Sequence, residues 1–273
     1  MRAAFALLVF IALATAASAN PYSDAVLADN PLAYWRLGDG GPTTVADLTG
    51  NGHTGTASAG VSFGQASLLL GDASDDSVTL TSTQRVTVPG FEKFGAGATG
   101  YSVEFWVVLN EPPVAFNNLV GDGEASSDYY LMAYVSSSGR IRAHAQGAGP
   151  IHLDSLGVLT VGTAYHVVTS WDQTSGMASI YIDGELDNSG LIGSGAPFNT
   201  DNPIFLGFDN REPGVGITLD EVAIYDYALS PERVAEHFAL SLVPEPDSWL
   251  MLAAGTVFLV VLYRRRALGL RAS

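Results

Sequence analysis

The chain has 273 residues, 28 of them acidic and 12 basic, a net charge of −16 and no cysteine. Arg2, Arg264, Arg265, Arg266 and Arg271 sit at the ends, so the stretch from Asp24 to Asp247 holds every acid and a net charge of −21. This excludes a nucleic-acid binder, which needs a basic face to displace phosphate counterions, and the single lysine, Lys93, leaves no Walker-type phosphate loop. Without cysteine there are no disulfides, thiolate metal sites or thiol nucleophiles. Residues 1–19 carry one positive charge, an apolar run and the small-x-small triplet Ala17-Ser18-Ala19. That is the form of a secretory signal peptide, cleaved between Ala19 and Asn20. Outside the cytoplasm and without disulfides, stability must rest on a core or a bound metal.

Residues 20–241 read as one β domain, a two-sheet sandwich or jelly roll. Runs of β-branched and aromatic residues recur between turn clusters. Segments 78–81 and 85–88 read as a strand pair. Segment 101–109 (YSVEFWVVL) is the strongest strand, with Val103, Phe105, Val107 and Leu109 on one face. Strands follow over 129–135, 140–145, 165–171, 177–182, 204–208 and 217–225. Asp183-Gly184 is a two-residue hairpin turn, since both positions favour positive φ. One helix is signalled, from Ser230 as N-cap and Pro231 at N1 to about Phe238.

Residues 242–273 differ in kind. Pro244-Glu245-Pro246 is followed by the apolar segment 249–263 and then by Arg264, Arg265 and Arg266. As a helix this segment spans about 23 Å, slightly short of a full crossing, with the arginines held in the cytoplasm. The three parts in this order resemble the PEP-CTERM sorting signal of Gram-negative bacteria. The resemblance implies processing near Pro244-Glu245-Pro246 by an exosortase, a membrane transpeptidase. It also implies a cell that makes an extracellular polysaccharide matrix, with the protein at the cell surface or in that matrix. Until processing, the C-terminal helix would hold it to the membrane.

The middle carries a second resemblance. Its pieces are PLAYWRLGD from Pro31, DLTGNGHTG from Asp47, YSVEFWV from Tyr101, YHVVTSWD from Tyr165, YIDG from Tyr181, and LDEVAIYDYALSPER from Leu219. In that order they look like the laminin-G-like, concanavalin A-like lectin/glucanase superfamily. The resemblance implies a two-sheet antiparallel jelly-roll sandwich over residues 21–240.

Asp220 poses a physical problem. With strict alternation it shares the face of Val222 and Ile224, so it is a carboxylate at the core edge. Such a group needs a partner, and a calcium ion with oxygen ligands would supply one. The resemblance points the same way, because related sandwiches often hold a structural calcium between the first and last strands of a sheet. Asp39, Asp47 and Asn51 then join Asp220 as candidate ligands. The competing reading makes Asp39 and Asp47 turn acids bonded to nearby N–H groups. The acid-rich stretch 71–76 reads as a solvated loop.

No active site emerges from the sequence. Gly95-Ala-Gly97-Ala-Thr-Gly100 precedes a strand, so no helix N-terminus meets a phosphate. Gly60-Val-Ser62-Phe-Gly64 lacks a strand-to-helix turn. A retaining glycosidase needs paired carboxyls, and Glu185-Leu-Asp187 lacks the third acid of the glucanase pattern. Glu104 stands alone on its strand and reads as an outward-facing acid. His166, on an apolar strand, reads as a core or interface histidine. Trp35, Trp106 and Trp171 read as core. The expected function is therefore a non-catalytic, exported binding domain, for exopolysaccharide or for a surface protein. Phe116, Tyr129, Tyr130 and Phe208 are candidates for stacking on sugar rings. From net charge alone, neutral or cation-bridged glycans are the expected ligands.

Overall fold

The computed structural model describes residues 20–38, 43–72, 75–90, 97–122, 132–146, 150–194, 202–209 and 214–244. The leader with Ala19, Asp39, Tyr129 and Tyr130 lie outside the described residues. So does the tail after Pro244, four scattered positions apart, including Glu245, Pro246 and arginines 264–266. Among the described residues no helix is long and apolar enough to cross a membrane.

In chain order the elements are α1 (Pro21–Ala28), β1 (Ala33–Trp35), β2 (Thr44–Val45), β3 (Gly55–Ala57), β4 (Ser62–Ala66), β5 (Asp76–Leu80), β6 (Arg85–Val88), β7 (Gly100–Leu109) and β8 (Asn117–Asp122). There follow β9 (Met132–Val135), β10 (Ile141–Gln146), β11 (Pro150–Asp154), β12 (Ala164–Asp172), β13 (Met177–Ile182), β14 (Glu185–Leu191), β15 (Ile204–Gly207), β16 (Ile217–Tyr225) and α2 (Pro231–Ser241). One sheet runs β14-β13-β12-β7-β16-β5-β4, with β1 also on β16. The other runs β11-β10-β9-β8-β15-β6-β3-β2. Every described pairing is antiparallel, which makes the fold a jelly-roll sandwich.

Alternation builds the layer between the sheets. Val103, Phe105, Val107 and Leu109 of β7 point into it, with Val167 and Trp171 of β12 and Trp35 of β1. Val135, Ile141, Ala143 and Leu206 meet them from the second sheet. The odd-and-even rule also gives the first sheet an apolar outer face. There Trp106, Val168, Tyr181, Ala223 and Tyr225 pack beneath Tyr22 and Val26 of α1 and Val234 of α2. Trp106 therefore belongs to this outer layer, not to the layer between the sheets.

The paired reading of 78–81 and 85–88 is corrected. β5 pairs with β4 and β16 in the first sheet, whereas β6 pairs with β3 and β15 in the second. The turn between them crosses the sandwich, so Val78 and Leu80 meet Val86 and Val88 in the core from opposite sides. The hairpin at Asp183-Gly184 forms with φ 52° and 79°, the two positive values that its turn demands. Ser230 caps α2, its Oγ accepting from Arg233 N, and the helix continues to Ser241. Helix α1 has no counterpart in the pattern reading, because eight residues are too few to display a period.

The face of Asp220 is also corrected. The β16 register shifts between Asp220 and Ala223, and Glu221 takes φ 52°. This bulge inserts one residue, so Leu219 and Val222 both face the inner core. Asp220 turns to the opposite face and pairs across with Trp106, under the outer layer.

Candidate functional site

Three polar groupings follow from this framework. The first lies under α1 and α2. Glu104, expected to face outward, is fully buried. Its carboxylate accepts hydrogen bonds from Tyr22 Oη (3.0 Å) and Tyr225 Oη (2.8 Å), and meets His166 Nε2 at 2.8 Å and His237 Nδ1 at 3.0 Å. Burial alone would raise this carboxyl, but the His237 charge and the hydrogen bonds from both histidines hold it well below the usual range. His237 Nε2 lies 3.2 Å from Asp29 Oδ2. Burial and Arg233 oppose protonation of His237; Glu104 and Asp29 outweigh them and raise its pKa above 6.5. Tyr22 of α1, His166 of β12, Tyr225 of β16 and His237 of α2 thus converge on the Glu104 carboxylate of β7, each of them buried.

The second grouping corrects the reading of 71–76 as a solvated loop. Asp72 and Asp75 are 2% and 6% exposed. Oxygens of Asp72, Asp75 and Glu221 all lie within 4.8 Å of one another. Arg36 faces them: it donates to Asp72 Oδ2, its Nε lies 3.1 Å from Glu221 Oε1, and its Nη2 lies 3.2 Å from Asp75 Oδ2. Tyr34 Oη donates to Glu221 Oε2. Asp220 sits beside this group, its Oδ2 accepting from Leu68 N (2.8 Å) and Ser67 Oγ (3.2 Å). Two buried oxygens, Asp75 Oδ2 and Asp220 Oδ1, accept no hydrogen bond. Burial pushes Asp75 up to about 6 against the opposing pull of Arg36. Burial and the neighbouring carboxylates raise Asp220 and Glu221 well above the ordinary range. Four carboxyl groups share one guanidinium, and burial with mutual repulsion favours the neutral acid in three of them, Asp75, Asp220 and Glu221. Carboxylate-only oxygen ligands at this spacing fit a hard divalent cation such as calcium.

Asp47 and Asn51 lie in a turn of their own. Asp47 accepts from Tyr34 N (3.2 Å), Thr49 N (3.1 Å), Thr49 Oγ1 (2.7 Å) and His53 N (2.9 Å). Burial would raise its pKa, and these bonds, that from His53 foremost, lower it. Asn51 Nδ2 donates to Leu32 O at 2.9 Å and lines a cavity of about 300 Å³ with Leu27, Asn30, Leu32, Thr49 and Asp226. The structure therefore brings Asp220 to the Asp72–Asp75–Glu221 group and keeps Asp47 and Asn51 apart in the turn. Only the bulge, invisible to a strict two-residue period, could have pointed to Glu221. Asp187, of the incomplete glucanase pattern, spends both oxygens on Leu156 N (2.5 Å) and Gly157 N (2.8 Å).

The third grouping is a row on the outer face of the second sheet. Val135, Ile141 and Ala143 face the core, so Tyr134 and Arg142 face outward. The register aligns Asn118 with Tyr134, Tyr134 with Arg142, and Arg142 with Asp154, across four strands. Arg142 grips Asp154 through Nε (2.6 Å) and Nη2 (2.9 Å), and its Cζ lies 4.1 Å from the centroid of Phe116. Phe116 is 42% exposed. An exposed ring beside a planar donor–acceptor pair can stack on a sugar and bond its hydroxyls.

A family model described as the concanavalin A-like lectin/glucanases superfamily matches residues 74–235. The chain belongs to this superfamily. Similar solved structures are of several kinds. The binding domain of Paraclostridial Mosquitocidal Protein 1 is 17% identical with a TM-score of 0.60, over 78% of this chain and 52% of that one. Domain 4 of AbnA, a GH43 extracellular arabinanase from Geobacillus stearothermophilus, solved with arabinotriose, is 18% identical with a TM-score of 0.54, over 76% and 97%. Trypanosoma rangeli sialidase is 14% identical with a TM-score of 0.54, over 76% and 32%. At these identities the likeness is one of fold, and the chain spans about half the length of the first of these structures. No curated protein sequence matches the chain.

Proposed function

We propose that this superfamily member is an exported, non-catalytic carbohydrate-binding domain that holds exopolysaccharide on the outer face of its second sheet. The observation that carries this reading is the Asn118–Tyr134–Arg142–Asp154 row with Phe116 beside it. A line of side chains across four strands suits an extended polymer, with about 4.8 Å between neighbouring strands. The arabinotriose bound to AbnA domain 4 lends the reading support from a similar fold. The leader and the PEP-CTERM-like tail supply the route: export, transient membrane attachment and exosortase processing near Pro244. A surface-protein ligand is the competing partner.

We further propose that Asp72, Asp75, Glu221 and Asp220 hold a structural calcium, which would neutralise carboxylates that Arg36 alone does not balance.

The test of the binding reading is a glycan array probed with the full-length chain, followed by Phe116→Ala and Arg142→Ala. Binding that falls about 10-fold in each variant, with melting unchanged, is the expected result. Binding to no glycan, together with tight binding to a surface protein, would overturn it.

A further inference from the structure

We propose that the same outer face carries a subsite for an anionic group on a saccharide, centred on Arg85. The proposal rests on the carbohydrate-binding reading and names the class of sugar. Val86 and Val88 of β6 face the core, so Arg85 and Thr87 face outward. Arg85 pairs across with Gly207 of β15, and its Cζ lies 4.6 Å above the centroid of Phe205. Its Nη1 is buried and has no hydrogen-bond partner among the described residues.

The other described arginines are satisfied. Arg36 pairs with Asp72, Asp75 and Glu221, Arg142 with Asp154, and Arg233 with Asp29 and Glu236. Arg140 donates to the carbonyls of Ser155 and Leu156. In a chain with 28 acids, Arg85 has the ring of Phe205 and no carboxylate among the described residues. A guanidinium is permanently charged and forked for two oxygens of a carboxylate or sulfate.

A second polar atom lies on the other side of β15. Asn118 Nδ2 donates to Phe205 O (3.0 Å) and Gly207 O (2.8 Å), fixing the amide. Its Oδ1 is then left buried without a donor, in a residue that is 5% exposed. An unfilled donor on β6 and an unfilled acceptor on β8 flank one strand, about 10 Å apart by strand spacing. A ligand that offers an anionic oxygen to the first and a hydroxyl to the second satisfies both. Acidic sugars, carrying carboxylate or sulfate beside free hydroxyls, have that combination.

The chain's overall negative charge does not forbid this. Charges beyond about 10 Å are largely screened at 0.1 M salt, so the contact surface decides. The local chemistry at Arg85 thus reverses the preference for neutral glycans that net charge alone suggests.

The test titrates the full-length chain with polygalacturonate, dextran sulfate and neutral dextran at two salt concentrations. At least 10-fold tighter binding to one of the anionic polymers, weakening with salt, is expected, and whichever polymer binds better identifies carboxylate or sulfate. Arg85→Gln should erase the difference between charged and neutral polymers while melting as the wild type does; Arg85→Lys should keep part of it. Equal binding of all three polymers by the wild type, or a preference that survives Arg85→Gln, would overturn the subsite and leave the carbohydrate reading standing. Binding to none of these polymers or to any glycan would overturn both.

Discussion

Glu104 and His237 show how far a single buried carboxylate can organise a surface. Neither has a sequence signature, since they lie 133 positions apart and meet only because α2 folds over β7. Removing one member of a buried, hydrogen-bonded charge pair strands the other, at a cost of about 3–5 kcal/mol. Glu104→Ala should therefore lower the unfolding free energy by that amount, read as a lower midpoint of chemical denaturation at unchanged slope. The pair also fixes a pH window. His237 is raised above 6.5, so its contribution is complete below that value and is lost as pH rises through its folded pKa. Glu104 is lowered from 4.5, so its contribution is complete above that value and is lost as pH falls through its folded pKa. Relative to a Glu104→Ala, His237→Gln double variant, which keeps the raised Asp75, Asp220 and Glu221 carboxyls, the extra stability of the wild type should be level between about 4.5 and 6.5 and decline on each side. His237→Gln should remove the alkaline decline; an unchanged alkaline limb would contradict the charged histidine.

Among the elements, strands were readable wherever alternation is clean. The inward face of β7 and the hairpin at Asp183-Gly184 follow directly from side-chain period and turn chemistry. What was not readable is what breaks or hides a period. The bulge at Glu221 moves Asp220 to the other face, and α1 is too short for periodicity to register. The crossing between β5 and β6 depends on partners far along the chain, which alternation does not name. Burial of Asp72 and Asp75 was hidden for a similar reason, because their partner Arg36 lies on a distant segment. The Gly184 turn offers a test of how tightly the outer layer is built. Its φ is 79°, and a Cβ there would lie 2.8 Å from Phe238 Cβ on α2. Gly184→Ala should cost about 1–3 kcal/mol through backbone strain and overpacking, read by urea denaturation. A neutral effect would show that α2 yields easily.

For the molecule as a whole, the acidic count visible at the outset is distributed unevenly. Part of it is concentrated in the buried Asp72–Asp75–Asp220–Glu221 group, while the second sheet presents Arg85 and Arg142 outward. Calcium at the acid group should raise stability by about 2.7 kcal/mol at a 100-fold excess over its Kd. For a domain of this size that corresponds to a Tm rise of about 5–10 °C, reversed by EDTA. Asp75→Asn with Asp220→Asn should abolish the calcium-dependent shift, and a Tm indifferent to calcium and EDTA in the wild type would contradict the site. Superfamily membership was legible from ordered motifs, whereas the binding row depends on register across β8, β9, β10 and β11, which no linear motif records. Chemical-shift mapping of the chain with a saccharide selected on the array tests the binding row most sharply. Perturbations are expected at Phe116, Asn118, Tyr134, Arg142 and Asp154; shifts confined instead to the cavity around Asn51 and Asp226 would overturn the row as the binding surface.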